Sequence, residues 1–408
     1  MSAAELAGAT FLADPLVKRV LEILSADGEE ARVVGGAVRN HLMGLPDHGD
    51  IDIATTALPE EVLRRAEAAG FKTAPTGIEH GTVTIIGFHR VAEVTTLRVD
   101  VETDGRRAVV RFGRSWQADA ERRDFTMNAL FADASGRLFD PVGGLADIAA
   151  RRVRFIGSAE RRIAEDRLRV LRFFRFHAAY GEGLPDGEGL GAAIRSRHDL
   201  SELSAERVGI EMRKLVVARR AAETVELMQD SGILPSVTAA VADLAAFRRF
   251  AALFGAEGEP ALRFAVLFAR IQEDVDNIAR RFRLSGKERE RMSEALAAAP
   301  GLAGGDARAD RDRLYRLGRQ TFTDGLMLLA ARGAIAADTA LARRAAAQAW
   351  AIPEFPLSGR DVVESGIARG PLVGHILRDL ERWWIAEDFV PEAATLRRRL
   401  QMMIAAQQ

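Results

Sequence analysis

Cysteine is absent from this 408-residue chain. That excludes disulfides, thiolate catalysis and a cysteine zinc site. No run of about eighteen apolar residues occurs, so no membrane-spanning helix is expected. The N-terminus lacks a basic stretch followed by an apolar core, so no secretion signal is expected and the chain reads as a soluble cytoplasmic protein. A surplus of positive charge is missing too. The formal net charge is −1, so no global signal marks a nucleic-acid binder. Arginine nevertheless supplies nearly all the cationic residues, and its clustering allows a local basic surface for RNA. There is no short internal repeat and no low-complexity tract beyond alanine-rich helix. With 48% hydrophobic residues, the chain is long enough for two to four compact units.

The most informative stretch is Gly35-Gly36-Ala37-Val38-Arg39-Asn40, followed by Gly49-Asp50-Ile51-Asp52-Ile53. Arg32-Val33-Val34 predicts a short β-branched strand that ends at the glycine pair. A glycine turn lets backbone N–H groups approach phosphate oxygens, and a helix over Val38 to Met43 adds partial positive charge at its start. Arg39 can fork onto a phosphate. Asp50 to Thr55 predicts a strand, on which Asp50 and Asp52 share one face while Ile51 and Ile53 share the other. Two convergent carboxylates suit Mg²⁺, a hard cation that takes oxygen ligands. The aspartate pair alone fits an acidic strand end equally well. With the Gly-Gly-x-x-Arg segment upstream it describes a nucleotidyl-transfer site.

Thr82 to Ile86 and Ala92 to Leu97 predict neighbouring strands, and Leu58 to Ala69 a helix with Pro59 in its first turn. After about residue 150 strand signals almost vanish. Helical patterns follow, interrupted near Gly183 to Gly191, Gly255 to Pro260 and Pro300 to Gly305, with a linker over Ala351 to Pro356. The fold class is therefore α+β: a mixed catalytic head joined to a helical remainder.

Two further constellations carry chemistry. A two-metal phosphoryl site usually has a third carboxylate on an adjacent strand, and Glu93 is the candidate. In Glu121-Arg122-Arg123-Asp124-Phe125-Thr126-Met127-Asn128, Asp124 is expected to cap a helix on which Asn128 shares its face. Arg123, Asp124 and Asn128 are then candidates to surround a ribose and phosphate. Asp133 to Asp147 predicts a hairpin and turn closing the head. Arg161 to Ala178 predicts one helix, buried along Ala164, Leu168, Leu171, Phe174 and Ala178. Glu165 precedes Arg169 by four, the favourable order for an ion pair. Asp166 and Arg169 can offer an acceptor beside a fork of donors, which matches the edge of cytosine and, with a small shift, adenine. A charged helix face with ion pairs of its own would carry the same residues.

Taken together, GGAVRN with GDIDIAT, HGTVTII with AEVTTL, ERRDFTMNAL, the DPVGG turn, EDRLRVLRFFRF and LSAERVGIEMRKL resemble the bacterial-type tRNA CCA-adding nucleotidyltransferases, the class that includes bacterial poly(A) polymerases. The resemblance is strong over residues 30–220 and weaker beyond, where LSGKERER and PLSGRDVVESG are similar to family segments. It implies a head over 1–150, a neck over 151–230, a body over 231–350 and a tail over 351–408, the last three helical. It implies Mg²⁺ on Asp50 and Asp52, with Glu93 completing the carboxylates. It implies triphosphate binding by the Gly35–Gly36 turn and Arg39, ribose recognition by Arg123 and Asp124, and base pairing by Asp166 and Arg169 with Glu165 holding Arg169. Arg172 and Arg175 would contact the nucleotide, and Glu206 to Glu211 would brace the neck. Expected substrates are tRNA, CTP and ATP, with poly(A) addition or CC addition alone as the alternatives. Arg98 to Trp116 corresponds to a flexible loop used to change from C to A addition. The chain departs from the family at Asn40, where Asp is usual. His198-Asp199 resembles the pair of an additional phosphohydrolase domain, but no companion histidines follow at suitable spacing.

Overall fold

The computed structural model describes residues 6, 8–46, 51–104, 107–255 and 257–405. The chain divides into two compact units, Met1–Ala239 and Ala240–Gln408.

The first unit is built on a mixed sheet. Its strands are β1 (Ala31–Val34), β2 (Ile51–Thr55), β3 (Lys72–Gly77), β4 (Thr82–Gly87), β5 (Arg90–Thr96), β8 (Phe131–Ala132) and β9 (Leu138–Phe139), in the order β3-β4-β5-β2-β1-β8-β9. Only β2 and β5 run parallel; the other pairs are antiparallel. The remaining two strands, β6 (Arg98–Asp104) and β7 (Arg107–Phe112), form a separate antiparallel ribbon. Over Arg98–Asp104 and Arg107–Phe112 a paired ribbon, with a register shift between Asp100 and Glu102, thus stands within the segment Arg98 to Trp116 where a loop was expected; its first strand alternates β-branched and charged residues. The side chains of Asp100, Glu102, Asp104, Arg106 and Arg107 lie outside the described residues.

Strand alternation sorts the sheet into two faces. Ile51, Ile53, Val83, Ile85, Ala92 and Val94 are all buried, and their register aligns them on one side. Helices Pro15–Leu24 and Pro59–Ala68 pack against these strands. The first carries a stripe of Leu16, Val17, Val20, Leu21 and Leu24, starts on Pro15 and is capped by Asp14. Such a stripe buries apolar area against the sheet at about 25 cal/mol per Å². On the other side Val34, Ala54, Leu97, Ala129, Phe131 and Ile156 form a smaller apolar cluster at the β1–β8 end.

The helices after the sheet differ from expectation at one important place. Arg161 to Ala178 is not one helix. Helix Ala159–Glu165 ends at Asp166 (φ −154°, ψ 107°), and a second helix, Leu168–Tyr180, begins two residues on. Ala164, expected in the buried stripe, is exposed, whereas Leu168, Leu171, Phe174 and Ala178 are buried. The Asp166 carboxylate accepts from the Leu168 amide (3.1 Å), so it competes with the helical pattern and restarts the helix. The expected break at Gly183 to Gly191 is shorter, since helix Gly187–Arg195 starts inside it.

Among the described residues of the second unit, every regular element is a helix. Helix Pro260–Phe268 starts on its proline, and Ala351 to Pro356 lies outside any regular element. LSGKERER and PLSGRDVVESG turn out to be helix starts. Ser285 and Glu288 form a reciprocal capping box, and the Ser358 amide donates to Asp361 (2.9 Å). Leu357, Val362, Ile376, Leu380, Trp384, Leu396 and Leu400 make a separate apolar core at the C-terminal end. No described helix is long and apolar enough to cross a membrane.

Candidate active site

The carboxylate strand is positioned by its register. Asp52 on β2 is paired with Glu93 on β5, and the row continues to Thr84 on β4 and Val34 on β1. Residues paired this way point to one face. Asp52 and Glu93 are both exposed, while their strand neighbours Ile51, Ile53, Ala92 and Val94 are buried beneath the opposite face. The sequence therefore folds its apolar residues under the helices and leaves two acids side by side. Asp50 lies outside the described residues.

β1 leads into the bend at Gly35, whose backbone takes φ 75°, a conformation glycine adopts without strain. A β-carbon at Gly35 would stand 3.8 Å from the Asp52 carboxylate, so the bend and the acid adjoin. Helix Gly36–Leu42 follows, starting two positions earlier than expected from Val38 and ending one before Met43.

Arg39 is not a free surface arginine. It is 6% exposed and held by three neutral groups. Its Nε and Nη2 donate to Asn40 Oδ1 (3.2 and 2.8 Å), Nη1 to Asn128 Oδ1 (2.6 Å) and Nη2 to the Tyr180 hydroxyl (2.8 Å). Burial lowers its pKa from the usual arginine value, and the neighbouring cations Arg175 and Arg172 add to this. At Asn40, the departure from the family pattern, a neutral amide therefore orients the guanidinium.

Asp124 does not cap an α-helix. The following segment is a single 3₁₀ turn, Thr126–Asn128. Its contact with Asn128 nonetheless forms: Asn128 Nδ2 donates to Asp124 Oδ1 (3.0 Å), as does the Phe125 amide (2.8 Å). Arg172 Nε and Nη2 reach Asp124 Oδ2 at 2.8 and 2.6 Å. Burial pushes the Asp124 carboxyl up, but the Arg172 charge and these hydrogen bonds outweigh it and hold it below the usual carboxylate range. Burial likewise opposes the Arg172 charge, and Asp124 and Glu211 raise its pKa despite that. Arg175 is bound through Nε to the buried Glu211. Arg123 is drawn to Asp119, four residues earlier, at 3.0 Å. The turn itself is locked from behind. A β-carbon on Gly144 would come within 2.3 Å of the Thr126 carbonyl oxygen.

At the other end, Glu165 receives Arg169 Nη1 (2.5 Å) and Arg162 Nη1 (2.8 Å). Burial raises its pKa, and these two arginines reverse the effect and bring it below the usual range. Arg169 also donates to the Arg162 carbonyl (3.0 Å). Asp166 Oδ2 receives Arg207 Nη2 at 2.6 Å. A cavity of about 810 Å³ adjoins this end and is lined by Glu165, Arg161, Arg162, Glu121 and Arg122 among others; Asp52, Glu93 and Asp166 do not line it.

Neither Tyr180 nor Asp119 is singled out by the sequence, and Arg207 enters only as part of the Glu206 to Glu211 brace. Arg207 and Glu211 are four apart on helix Ala205–Val216, so their shared face was readable in principle. No local signal marks Tyr180. His198 and Asp199 sit in a 3₁₀ turn, where Asp199 pairs with Arg167 (3.3 Å), and among the described residues no group of three or more metal-type side chains comes together.

Comparison with known proteins agrees with this arrangement. The family described as "Poly A polymerase head domain" matches residues 31–154, and "Probable RNA and SrmB- binding site of polymerase A" matches residues 190–242. The chain is 33% identical over 379 residues to the mouse (Mus musculus) protein named CCA tRNA nucleotidyltransferase 1, mitochondrial, covering 90% of this chain and 86% of that protein. It is 32% identical over 372 residues to a CCA-adding enzyme of Latilactobacillus sakei, covering 89% and 91%. The crystal structure of the Bacillus stearothermophilus CCA-adding enzyme in complex with CTP superposes with a TM-score of 0.76 at 28% identity, covering 97% of this chain and 99% of that one. With its sheet, its acidic strand and its arginine network in place, and with relatives of this similarity along nearly its whole length, the chain belongs to the family of CCA-adding tRNA nucleotidyltransferases.

Proposed function

We propose that this chain adds C, C and A to the 3′ end of tRNA, without a nucleic-acid template, from CTP and ATP, by two-metal nucleotidyl transfer. The observation that carries the reading is the in-register pairing of Asp52 with Glu93 beside the Gly35 bend. Both donors are carboxylate oxygens on an exposed face, a set that fits a hard divalent cation. We assign Mg²⁺ to Asp50 and Asp52, with Glu93 completing the carboxylate set. Bound there, it would neutralise triphosphate charge and acidify the attacking RNA 3′-hydroxyl.

The chain's own residues do the remaining work in this reading. The glycine bend and Arg39 hold the triphosphate. Arg123, Asp124 and Asn128 orient the ribose, and Arg172 and Arg175 add positive charge along the nucleotide. Asp166 accepts from the amino group of the base while Arg169 donates to its ring, Glu165 keeping Arg169 in place. The helical part of the chain holds the acceptor arm by shape and phosphate contacts. We divide the chain into head, neck, body and tail at residues 150, 230 and 350; the apolar core around Trp384, on which Tyr315 also packs, lies mostly within the tail. The assignment to the cytoplasm rests on the sequence alone.

The test is gel-resolved extension of tRNA lacking its 3′ end. CTP alone should add two residues, and CTP with ATP three. A long tail from ATP alone would favour poly(A) addition, arrest after two residues with both nucleotides would favour CC addition, and no extension with Mg²⁺ present would overturn the reading.

A further inference from the structure

We propose that Arg207 sets the base selectivity of this site by fixing the orientation of the Asp166 carboxylate, and that it acts mainly by enforcing rejection of the wrong base. The inference rests on the reading of Asp166 as a base reader.

Asp166 stands on the short extended link between two helices, so no helical neighbours confine its side chain. Two hydrogen bonds do so instead, one to each oxygen. The Leu168 amide donates to Oδ1 (3.1 Å) and Arg207 Nη2 donates to Oδ2 (2.6 Å). Two donors on different oxygens fix the plane of the carboxylate, where a single one would leave a pivot. A carboxylate has about four lone-pair sites, so capacity remains for the amino group of a base. The side chain is 24% exposed, which leaves it open to an incoming nucleotide.

Fixing that plane matters more for rejection than for acceptance. A base with an amino group at this edge can follow a carboxylate that turns. A base with a carbonyl there meets acceptor against acceptor, and the mismatch is costly only if the carboxylate cannot turn away. Arg207 is itself well anchored. It lies in the first turn of helix Ala205–Val216, four positions before Glu211, which binds Arg175 and approaches Arg172 (3.7 Å). One helix thus supports both Asp166 and the arginines of the neighbouring helix. The Arg207–Asp166 pair is partly exposed and contributes little to stability, so its removal leaves the fold intact.

The experiment measures single-nucleotide incorporation of CTP and UTP into tRNA lacking its 3′ end, using the full chain. For Arg207→Ala the ratio of kcat/KM for CTP over UTP should fall by about tenfold or more, chiefly through improved use of UTP. Arg207→Lys should recover part of the ratio, because a charged donor returns without the fixed planar geometry of the guanidinium. Asp166→Ala is measured alongside. If it leaves the ratio unchanged, the base-reading assignment itself fails. If Asp166→Ala lowers the ratio while Arg207→Ala weakens CTP and UTP equally, or changes neither, Arg207 only supports the helix and the proposal is overturned.

Discussion

The Arg39 guanidinium lies 4.0 Å over the ring of Tyr180 and donates to the hydroxyl of the same residue at 2.8 Å, across a sequence separation of 141 residues. Tyr180 is the last residue of the helix that begins just after Asp166. The glycine-turn arginine is thereby tied to the far end of the helix that carries Arg169, Arg172 and Arg175. Replacing Tyr180 by Phe keeps the ring and removes the hydroxyl, a loss of about 1 kcal/mol for one hydrogen bond. We expect KM to rise about threefold to tenfold for CTP and ATP alike, with kcat little changed. Steady-state kinetics with each nucleotide checks this; a change confined to one nucleotide would contradict it.

Asp52 is exposed and sits beside another acid, Glu93. Like charges on adjacent strands do not stabilise a sheet. Asp52→Ala is expected to reduce nucleotide incorporation by at least about a thousandfold while shifting unfolding free energy by less than about 1 kcal/mol. Activity and urea unfolding measured on one preparation separate a metal-binding role from a structural one.

Gly144 has the opposite profile. No side chain fits there, because the Thr126 carbonyl stands 2.3 Å from where a β-carbon would be and Leu130 stands 3.3 Å away. Gly144→Ala must push back the turn that carries Asn128, and through it the support of Arg39 and Asp124. A loss of about 2–3 kcal/mol in stability is expected, together with weaker nucleotide binding, read by thermal melting and by KM.

His177 is buried beside Arg220, and burial, followed by the Arg220 charge, lowers its pKa from 6.5 to about 4. The unfolded chain therefore binds a proton here before the folded one does. Stability is full above about pH 6.5 and falls as the pH drops towards 4. The urea midpoint should decline across this interval. In His177→Gln the decline between pH 6.5 and 5 should flatten, since most carboxylates titrate lower; an unchanged slope would show that His177 does not control it.

Much of the site was legible because its signals are local. The glycine bend, the alternation that exposes Asp52 between buried Ile51 and Ile53, and the four-residue spacing of Glu165 and Arg169 each follow from the geometry of one strand, turn or helix. Arg161 to Ala178 predicts one helix because apolar spacing runs on through Asp166, whereas the Asp166 side chain accepts from the Leu168 amide and interrupts it. The spacing predicts Asp124 as a cap, and the fold makes it the buried partner of Arg172, 48 positions away. Charge and periodicity do not distinguish a capping acid from a buried ion-pair acid.

The order of residues by itself determined what each group can donate or accept, since residue type and spacing within one element settle that. Only the tertiary structure decided how those groups are held: Asp52 beside Glu93, Arg39 under Tyr180, Asp124 against Arg172, and Asp166 fixed by Arg207. The physical reason is that a buried or half-buried polar group must find partners wherever the chain topology brings them. That choice depends on strand order and helix packing, which no short stretch of sequence contains.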